Sequence, residues 1–290
     1  MRISDEQKAI LDSLVVERLR DNFSENASLV NTFSNKMNPN LESIITSRLS
    51  FDKDTAGTTA YYVVKSPTGE LLLYFSLKCG ELFEELDHRK MELAAKTQYA
   101  VTILMDKSSY SEEKVTAAES FLNDNIDEIK KLLPDINKYL KKKGQYTDDI
   151  NKELNKQVRR VLKTYPAIEI VEFCKNDSDI AKKAWRALGI ERKMGECVFW
   201  HIIVPKLKAI QDITGCQYVY LFAADNSYDG DLANYYKIAL HFDQSPLLGA
   251  NKPQYDFNCF FLSQEMKDLP KWQDYFYNHF NPDPEGDDIV

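Results

Sequence analysis

The sequence predicts an α/β protein with a mixed central sheet, flanked by helices and interrupted by a helical insertion. Three observations predict it: two β-rich runs within residues 59–78, helical periodicity over residues 84–163, and alternating strands and helices after residue 164. Hydrophobic residues make up 43% and charged residues 28% of the 290 positions. This composition favours a folded globular chain over a disordered one.

The N-terminal segment predicts helices. Residues 4–21 place apolar side chains at helical spacing, and Ser4 with Gln7 could form a capping box. A second short helix is expected near residues 28–37, and Pro39 would end it. No first strand is expected before the β-rich runs.

The β-rich runs predict an antiparallel hairpin, because residues 66–69 read Ser-Pro-Thr-Gly, a sequence typical of a tight turn. Residues 71–75 are wholly apolar or aromatic, which favours a strand buried on both faces. From residue 84 to residue 163, apolar side chains recur at intervals of three and four, and Pro134 is expected to break or kink this helical block.

The remaining chain predicts the order strand, helix, helix, strand, helix, strand. The strands are expected at residues 165–174, 217–224 and 256–266, and the alternation predicts parallel neighbours with helices packed on the sheet. The predicted segments are an N-terminal helical segment (1–50), the hairpin part of the main domain (51–83), the insertion (84–163), the second half of the main domain (164–270) and a C-terminal tail (271–290).

Charge and composition narrow the partners. The net charge of −8 argues against general affinity for nucleic acid. Between Lys138 and Lys163, however, nine Lys/Arg face three acids, which indicates either a solvated helical face or a docking patch for RNA or another anion. Five cysteines and four histidines show no metal-ligand spacing. No apolar run approaches the ~20 residues that a membrane-spanning helix needs, so we expect a cytoplasmic protein without a membrane partner. The sequence leaves open whether the protein forms a homodimer.

Residues 192–197, Arg-Lys-Met-Gly-Glu-Cys, stand at a predicted helix start. Amides at a helix start and its partial positive charge favour an anion, and Gly195 lets a ligand approach the backbone. The segment predicts a pyrophosphate site. The alternatives are a plain surface charge for Arg192 and an ordinary turn glycine for Gly195.

This segment resembles the pyrophosphate loop of the GNAT superfamily of N-acetyltransferases, Gln/Arg-x-x-Gly-x-Gly/Ala, with Cys197 at its last position. LANYYKIALHF resembles a later helix of that family, with Tyr235, Tyr236 and Phe242 but without its glycine. The resemblance covers roughly residues 55–82 and 164–266. The helical block and the seventeen residues between Cys174 and Arg192 depart from the family pattern.

The resemblance implies acetyl-CoA as a co-substrate. The fourth strand, residues 165–174, would part from the fifth, residues 217–224, and the pantetheine arm would bond to backbone near Phe173 and Cys174. The pyrophosphate would lie beside Arg192 and on the amides of the helix start, at Lys193, Met194, Gly195, Glu196 and Cys197.

The same resemblance implies that an amine attacks the thioester directly. Tyr236 would protonate the leaving thiolate, and Glu172 or Glu169 would accept the amine proton; we expect Glu172 because it lies nearer the parting. Standing three apart on a strand, the two glutamates are expected on opposite faces. The alternatives are core packing for Tyr236 and a salt bridge at the strand edge for Glu172.

Three functions follow from these observations. The first is an acyl-CoA-dependent N-acetyltransferase with a small-molecule or protein amine acceptor. The second is a non-catalytic binding or assembly protein with the same fold, and the third is an RNA-directed acetyltransferase of the toxin type.

Overall fold

The computed structural model describes residues 1–84, 88–133, 163–224, 230–245, 248–251 and 259–282. The chain divides into two compact units. The larger unit comprises residues 1–82, 165–245 and 250–290, and the smaller unit comprises residues 83–164 and 246–249.

The described strands form one mixed sheet. They are β1 (Val15–Arg18), β2 (Ala60–Lys65), β3 (Leu71–Glu84), β4 (Thr164–Lys175), β5 (Tyr218–Ala224), β6 (Leu248–Gly249) and β7 (Cys259–Glu265). The order is β1-β2-β3-β4-β5-β7, and β6 pairs with the end of β3. β4 and β5 run parallel, whereas the β1–β2, β2–β3 and β5–β7 pairs are antiparallel. This mixed sheet with its helices confirms the predicted fold class.

The described helices follow the same chain order. They are α1 (Asp5–Asp12), α2 (Phe23–Val30), α3 (Pro39–Thr46), α4 (Arg48–Thr55), α5 (His88–Met105), α6 (Glu112–Asp124), α7 (Ile126–Leu132), α8 (Asp179–Ala187), α9 (Met194–Val198), α10 (Val204–Thr214), α11 (Asp231–Ile238) and α12 (Leu269–Asn278). None of these helices is long and apolar enough to cross a bilayer.

The N-terminal prediction is right at its start and wrong beyond Asp12. The Ser4–Gln7 capping box is present. The predicted helix over residues 4–21 instead ends early, and Val15–Arg18 forms the strand β1 that was not expected. Pairing with β2 outweighs the helical spacing of these residues, because the strand supplies sheet hydrogen bonds along the edge. Pro39 likewise begins α3 rather than ending a helix, a position where its missing N–H costs nothing.

The hairpin and its turn are confirmed. Gly69 has a φ of +97° and donates its N–H to the Ser66 carbonyl at 3.0 Å. The last strand, however, is not parallel to its neighbour. β7 begins at Cys259, opposite Ala224, the last residue of β5, so the two strands must run in opposite directions.

Both faces of the sheet in the larger unit are covered. One face packs through residues such as Phe75 and Ile170 against α1 and α8 to α12, and the other packs through Tyr61 and Tyr74 against α2 to α4. Between α9 and α10 the helix passes through a π-helical turn, Phe199–Ile203. Pro205 follows that turn and has no N–H to donate to the preceding turn.

Helix α12 was not predicted and lies partly in the segment expected to be a tail. Its Phe276 and the following Phe280 are each 2% exposed and belong to the main core. In the smaller unit, α5, α6 and α7 bury their own apolar cluster around Val101, Leu122 and Ile129. Pro134 and the basic segment from residue 138 to residue 162 lie outside the described residues.

Candidate functional site

The strands β4 and β5 part half-way along. They are in register from Ala167 opposite Tyr218 to Ile170 opposite Leu221, and no register pair follows although β4 continues to Lys175 and β5 to Ala224. β5 stays paired with β7 along its whole length. The sheet therefore opens between its two parallel strands, as the resemblance implies.

Glu169 and Glu172 lie on the same face of β4, which corrects the expectation of opposite faces. Ile168 and Ile170 belong to the main core, but the next β4 residue in that core is Phe173. The inside-outside alternation therefore slips by one residue, as it does at a β-bulge. The slip lies at the place where β4 leaves β5.

Glu169 lies among polar side chains just before the point where β4 and β5 part. The Tyr220 hydroxyl donates to Glu169 Oε2 at 3.3 Å, and Lys78 Nζ lies 3.9 Å from the same oxygen. Burial raises the pKa of the Glu169 carboxyl above its usual range, while Lys78 and Tyr220 lower it in part. A carboxylate with a raised pKa is a better proton acceptor than an ordinary one.

Glu172 is more enclosed. The Ser76 hydroxyl donates to Glu172 Oε2, and the Tyr61 hydroxyl donates to Glu172 Oε1 at 3.4 Å. Burial raises the pKa of this carboxyl too. Because both of its oxygens accept hydrogen bonds from side chains of other strands, Glu172 ties β4 to its neighbour β3 and, across β3, to β2.

Gly80 on β3 makes room for the Tyr220 ring. A Cβ on Gly80 would lie 2.7 Å from the Tyr220 Cε1 atom, closer than side chains pack. Lys78, Gly80 and Tyr220 were missed by sequence analysis, although a glycine inside an apolar strand run is a signal of close approach.

We expect Gly80→Ala to displace the Tyr220 phenol from Glu169 and to cost about 1–3 kcal/mol of unfolding free energy. Chemical denaturation measures this cost, and Cys79→Ala at the exposed neighbouring position is the matched control. A Gly80→Ala/Tyr220→Leu double variant should recover most of the lost stability. Equal losses in single and double variants would contradict the proposed overlap.

Tyr236 on α11 approaches the unpaired half of β4. It is 6% exposed, and burial raises the pKa of its phenol, with a further contribution from the nearby Cys174 thiol. Among the described residues, none hydrogen-bonds the Tyr236 hydroxyl. Its ring packs on Phe242, which packs on Phe199, and Phe199 packs on Phe173 of β4. The phenol is therefore protonated at neutral pH and lies beside the parted strand.

The two β4 residues expected to contact pantetheine both lie beyond the parting. Phe173 is 5% exposed and packs into the main core, whereas Cys174 belongs to the cluster on the other face. Asn35 Nδ2 donates to Cys174 Sγ at 3.0 Å, and burial raises the pKa of that thiol. The thiol therefore stays protonated and is a poor nucleophile.

A cavity of about 420 Å³ adjoins the predicted pyrophosphate segment. Arg192, Lys193 and Glu196 line one side of it, and α11 and α12 line the others. The Arg192 guanidinium pairs with Glu196 and donates to the His279 carbonyl at 2.7 Å. Arg192 thus already joins the start of α9 to the end of α12.

The other residues of the predicted segment form the first turn of α9. Met194, Gly195 and Cys197 are buried there, and the Cys197 amide donates to the Lys193 carbonyl at 3.1 Å. Helix α9 is continued by the π-helical turn and α10, so its dipole is that of a longer helix. The pyrophosphate role of these residues stays a prediction. Within the described ranges, no group of three or more His, Cys, Asp or Glu side chains is arranged to hold a metal ion.

The chain is similar to several solved structures. No family model matches the chain, and no curated protein matches it by sequence. The structure of AtaTR bound with acetyl-CoA is 14% identical, has a TM-score of 0.45, and its match covers 90% of this chain and 98% of that chain. The KacTA–DNA complex is 12% identical, with a TM-score of 0.44, covering 89% of this chain and 97% of that chain.

A third solved structure, AtaT complexed with acetyl-methionyl-tRNA, is 13% identical with a TM-score of 0.40, covering 89% of this chain and 98% of that chain. At these identities the similarity concerns the fold alone and does not extend to an activity of this chain.

Proposed function

We propose that this protein is an acyl-CoA-dependent N-acyltransferase that transfers an acetyl group from acetyl-CoA to an amine. The observation that carries the proposal is that Glu169 and Tyr236 flank the place where β4 and β5 part. A proton acceptor and a proton donor therefore lie on either side of a gap that an extended thioester could enter.

In the proposed reaction the amine nitrogen attacks the thioester carbonyl carbon, and the carbon–sulfur bond breaks. Glu169 accepts the proton that the amine loses. Its raised pKa and its contact with the Tyr220 hydroxyl suit that role. We favour Glu169 over Glu172, because both oxygens of Glu172 are already engaged by Ser76 and Tyr61.

Tyr236 donates its proton to the departing CoA thiolate, so that the thiol is the product. Burial keeps this phenol protonated over the physiological pH range. The buried environment also strengthens hydrogen bonds to a developing charge, because little water competes for it.

In this proposal the co-substrate reaches the gap between β4 and β5 from the cavity beside α9. Trp200 and Tyr235 line the cavity, and their chain neighbours Phe199 and Tyr236 pack toward the parted strands. Residues adjacent in the chain therefore face the cavity on one side and the parted strands on the other. This adjacency supports a placement of acetyl-CoA with its phosphates beside Lys193 and the first turn of α9. Its thioester would then lie beside Phe173 and Cys174.

A prediction on pH dependence follows from Lys78, which lowers the pKa of Glu169. Lys78→Met removes that charge, so the Glu169 pKa rises and the deprotonated carboxylate forms only at higher pH. The acidic limb of the kcat/KM profile should therefore move to higher pH, and Lys78→Arg should move it much less. The Lys78 side chain is 52% exposed, so the fold should tolerate both changes. If the acidic limb of the kcat/KM profile does not move in Lys78→Met, Lys78 does not influence the catalytic base.

Isothermal titration of the full chain with acetyl-CoA, followed by release of free CoA thiol in the presence of an amine mixture, tests the function. Saturable heat and amine-dependent thiol release are expected. Absence of heat at high micromolar acetyl-CoA would contradict the proposal and favour the non-catalytic binding protein.

A second candidate acceptor is the amino group of an aminoacyl-tRNA. The net positive segment between Lys138 and Lys163, nine Lys/Arg against three acids, favours it. Acetylation of charged tRNA, but not of free amino acids, would identify this acceptor. Charge reversal at Lys141, Lys142 and Lys143 should then weaken tRNA binding most at low salt, and unchanged binding would exclude this segment.

A further inference from the structure

A second cavity, of about 450 Å³, lies within the smaller unit between α5 and α6. Its volume falls in the range of roughly 300–1,000 Å³ that small-molecule sites occupy. Nine described residues line it, whereas a stable protein partner covers about 20–30 residues on each side. The size of this α5–α6 groove therefore favours a small molecule over a protein.

Helix α5 forms one wall of the groove with a single face. Lys96, Tyr99, Ala100 and Ile103 line the groove, at the i, i+3, i+4 and i+7 positions of one helical stripe. Ala100 and Ile103 are 3% and 2% exposed and form an apolar floor. Tyr99 is 59% exposed, so its ring stands at the edge of the groove, where it can cover a bound ligand.

Helix α6 forms the facing wall with the same spacing. Lys114, Ala117, Ala118 and Phe121 line the groove, again at i, i+3, i+4 and i+7. Each helix thus contributes a lysine, then small or aromatic side chains, then a large apolar side chain. The alanines leave an apolar trough along the middle of the groove.

The charge at this groove is positive. None of the described lining residues is acidic, and no described residue forms an ion pair with Lys114. The short connection of residues 106–111 makes α5 and α6 antiparallel neighbours, so Lys114 marks the end of the groove beside that connection. Phe121 lies about 10 Å farther along α6. The groove therefore offers an elongated apolar surface with a cation at one end.

We propose that the α5–α6 groove binds a linear aliphatic carboxylate, a fatty acid, with its chain along the alanines and its carboxylate beside Lys114. The apolar floor provides no side-chain hydrogen-bonding partner, so a polar ligand body would lose its hydration without compensation. A single negative charge at one end of the ligand complements the lysine. The proposed acetyl transfer uses residues of the larger unit, so this inference stands apart from it.

Isothermal titration of the full chain with octanoate, decanoate and dodecanoate, each below its critical micelle concentration, tests the proposal. We expect saturable heat, and an affinity that rises about fourfold with each methylene buried as the chain fills the groove. Dodecanol should bind more weakly than dodecanoate, because it has the chain without the charge.

Two variants test the placement of the ligand. Lys114→Met keeps the apolar stem of the side chain, so it should weaken dodecanoate binding about fivefold and leave dodecanol binding unchanged. Ala117→Leu fills the groove and should weaken binding of both ligands at least about tenfold. Leucine is a good helix former, so the melting temperature should hold. Ser120→Leu, at an exposed α6 position that does not line the groove, is the matched control.

The inference is overturned if dodecanoate gives no saturable heat, or if affinity is independent of chain length. Equal binding of dodecanoate to Ala117→Leu and Ser120→Leu would overturn it as well, because the ligand would then lie elsewhere. A Lys114→Met variant that loses dodecanol as much as dodecanoate would contradict the carboxylate position. Binding of an acidic amphipathic peptide in place of dodecanoate would assign the groove to a protein partner instead.

Discussion

Replacing Tyr236 with phenylalanine is expected to lower kcat for acetyl transfer by about a hundredfold or more. The hydroxyl approaches the unpaired half of β4, and the protonated phenol is the proposed donor to the departing thiolate. Phenylalanine keeps the ring packing on Tyr235 and Phe242, so the fold and the KM for acetyl-CoA should change little.

Steady-state kinetics with a thiol-detecting reagent measure this effect. Tyr165→Phe is the matched control, because Tyr165 is also buried but lies at the paired end of β4. The control should retain the parent kcat. A Tyr236→Phe variant as active as the control would assign Tyr236 to core packing alone.

Glu169→Gln is expected to lower kcat/KM by about a hundredfold to ten-thousandfold at neutral pH. The amide keeps the size of the side chain and can still accept a hydrogen bond from Tyr220, but it cannot take up the amine proton. The acidic limb of the pH profile should also disappear, because the group that titrates there is gone. A retained limb would show that another group supplies it.

Glu172→Gln is the informative comparison, since it makes the same change on the same face of β4. Burial raises the pKa of Glu172, so the folded parent holds that proton more firmly than the unfolded chain does. Its stabilising contribution is therefore present at low pH and is lost as pH rises through the folded pKa. The variant should lose less stability than the parent above neutral pH and retain most activity. A larger kinetic loss in Glu172→Gln than in Glu169→Gln would restore Glu172 as the base.

Local signals made much of the fold predictable. A few neighbouring residues determine each of three features: the capping box at Ser4, the turn at Gly69, and the helix end at Gly215, whose φ is +73°. The apolar runs that became β3 and β5 were readable for the same reason. The parting of β4 and β5 was expected only through the family resemblance.

Non-local features were not predictable in this way. β1 was missed because Val15 follows the spacing of a helix stripe, and only the partner strand β2 shows that it is a strand. Which face of β4 carries Glu172 depends on the one-residue slip in the inside-outside alternation of that strand. No local residue preference predicts this slip. Lys78 and Tyr220 meet Glu169 from strands distant in sequence. Helix α12 was overlooked because its amphipathic pattern was included in an expected tail.

The parting of β4 and β5 also has a consequence for local opening. The register pairs from Ala167–Tyr218 to Ile170–Leu221 form a short seam between one sheet half, β1 to β4, and the other half, β5 with β7. Fewer backbone bonds must break to separate the halves than to separate β2 from β3. Amides along the seam should therefore exchange with deuterated solvent earlier than those of the hairpin. A compound that bridges the halves would slow that exchange on both sides of the seam.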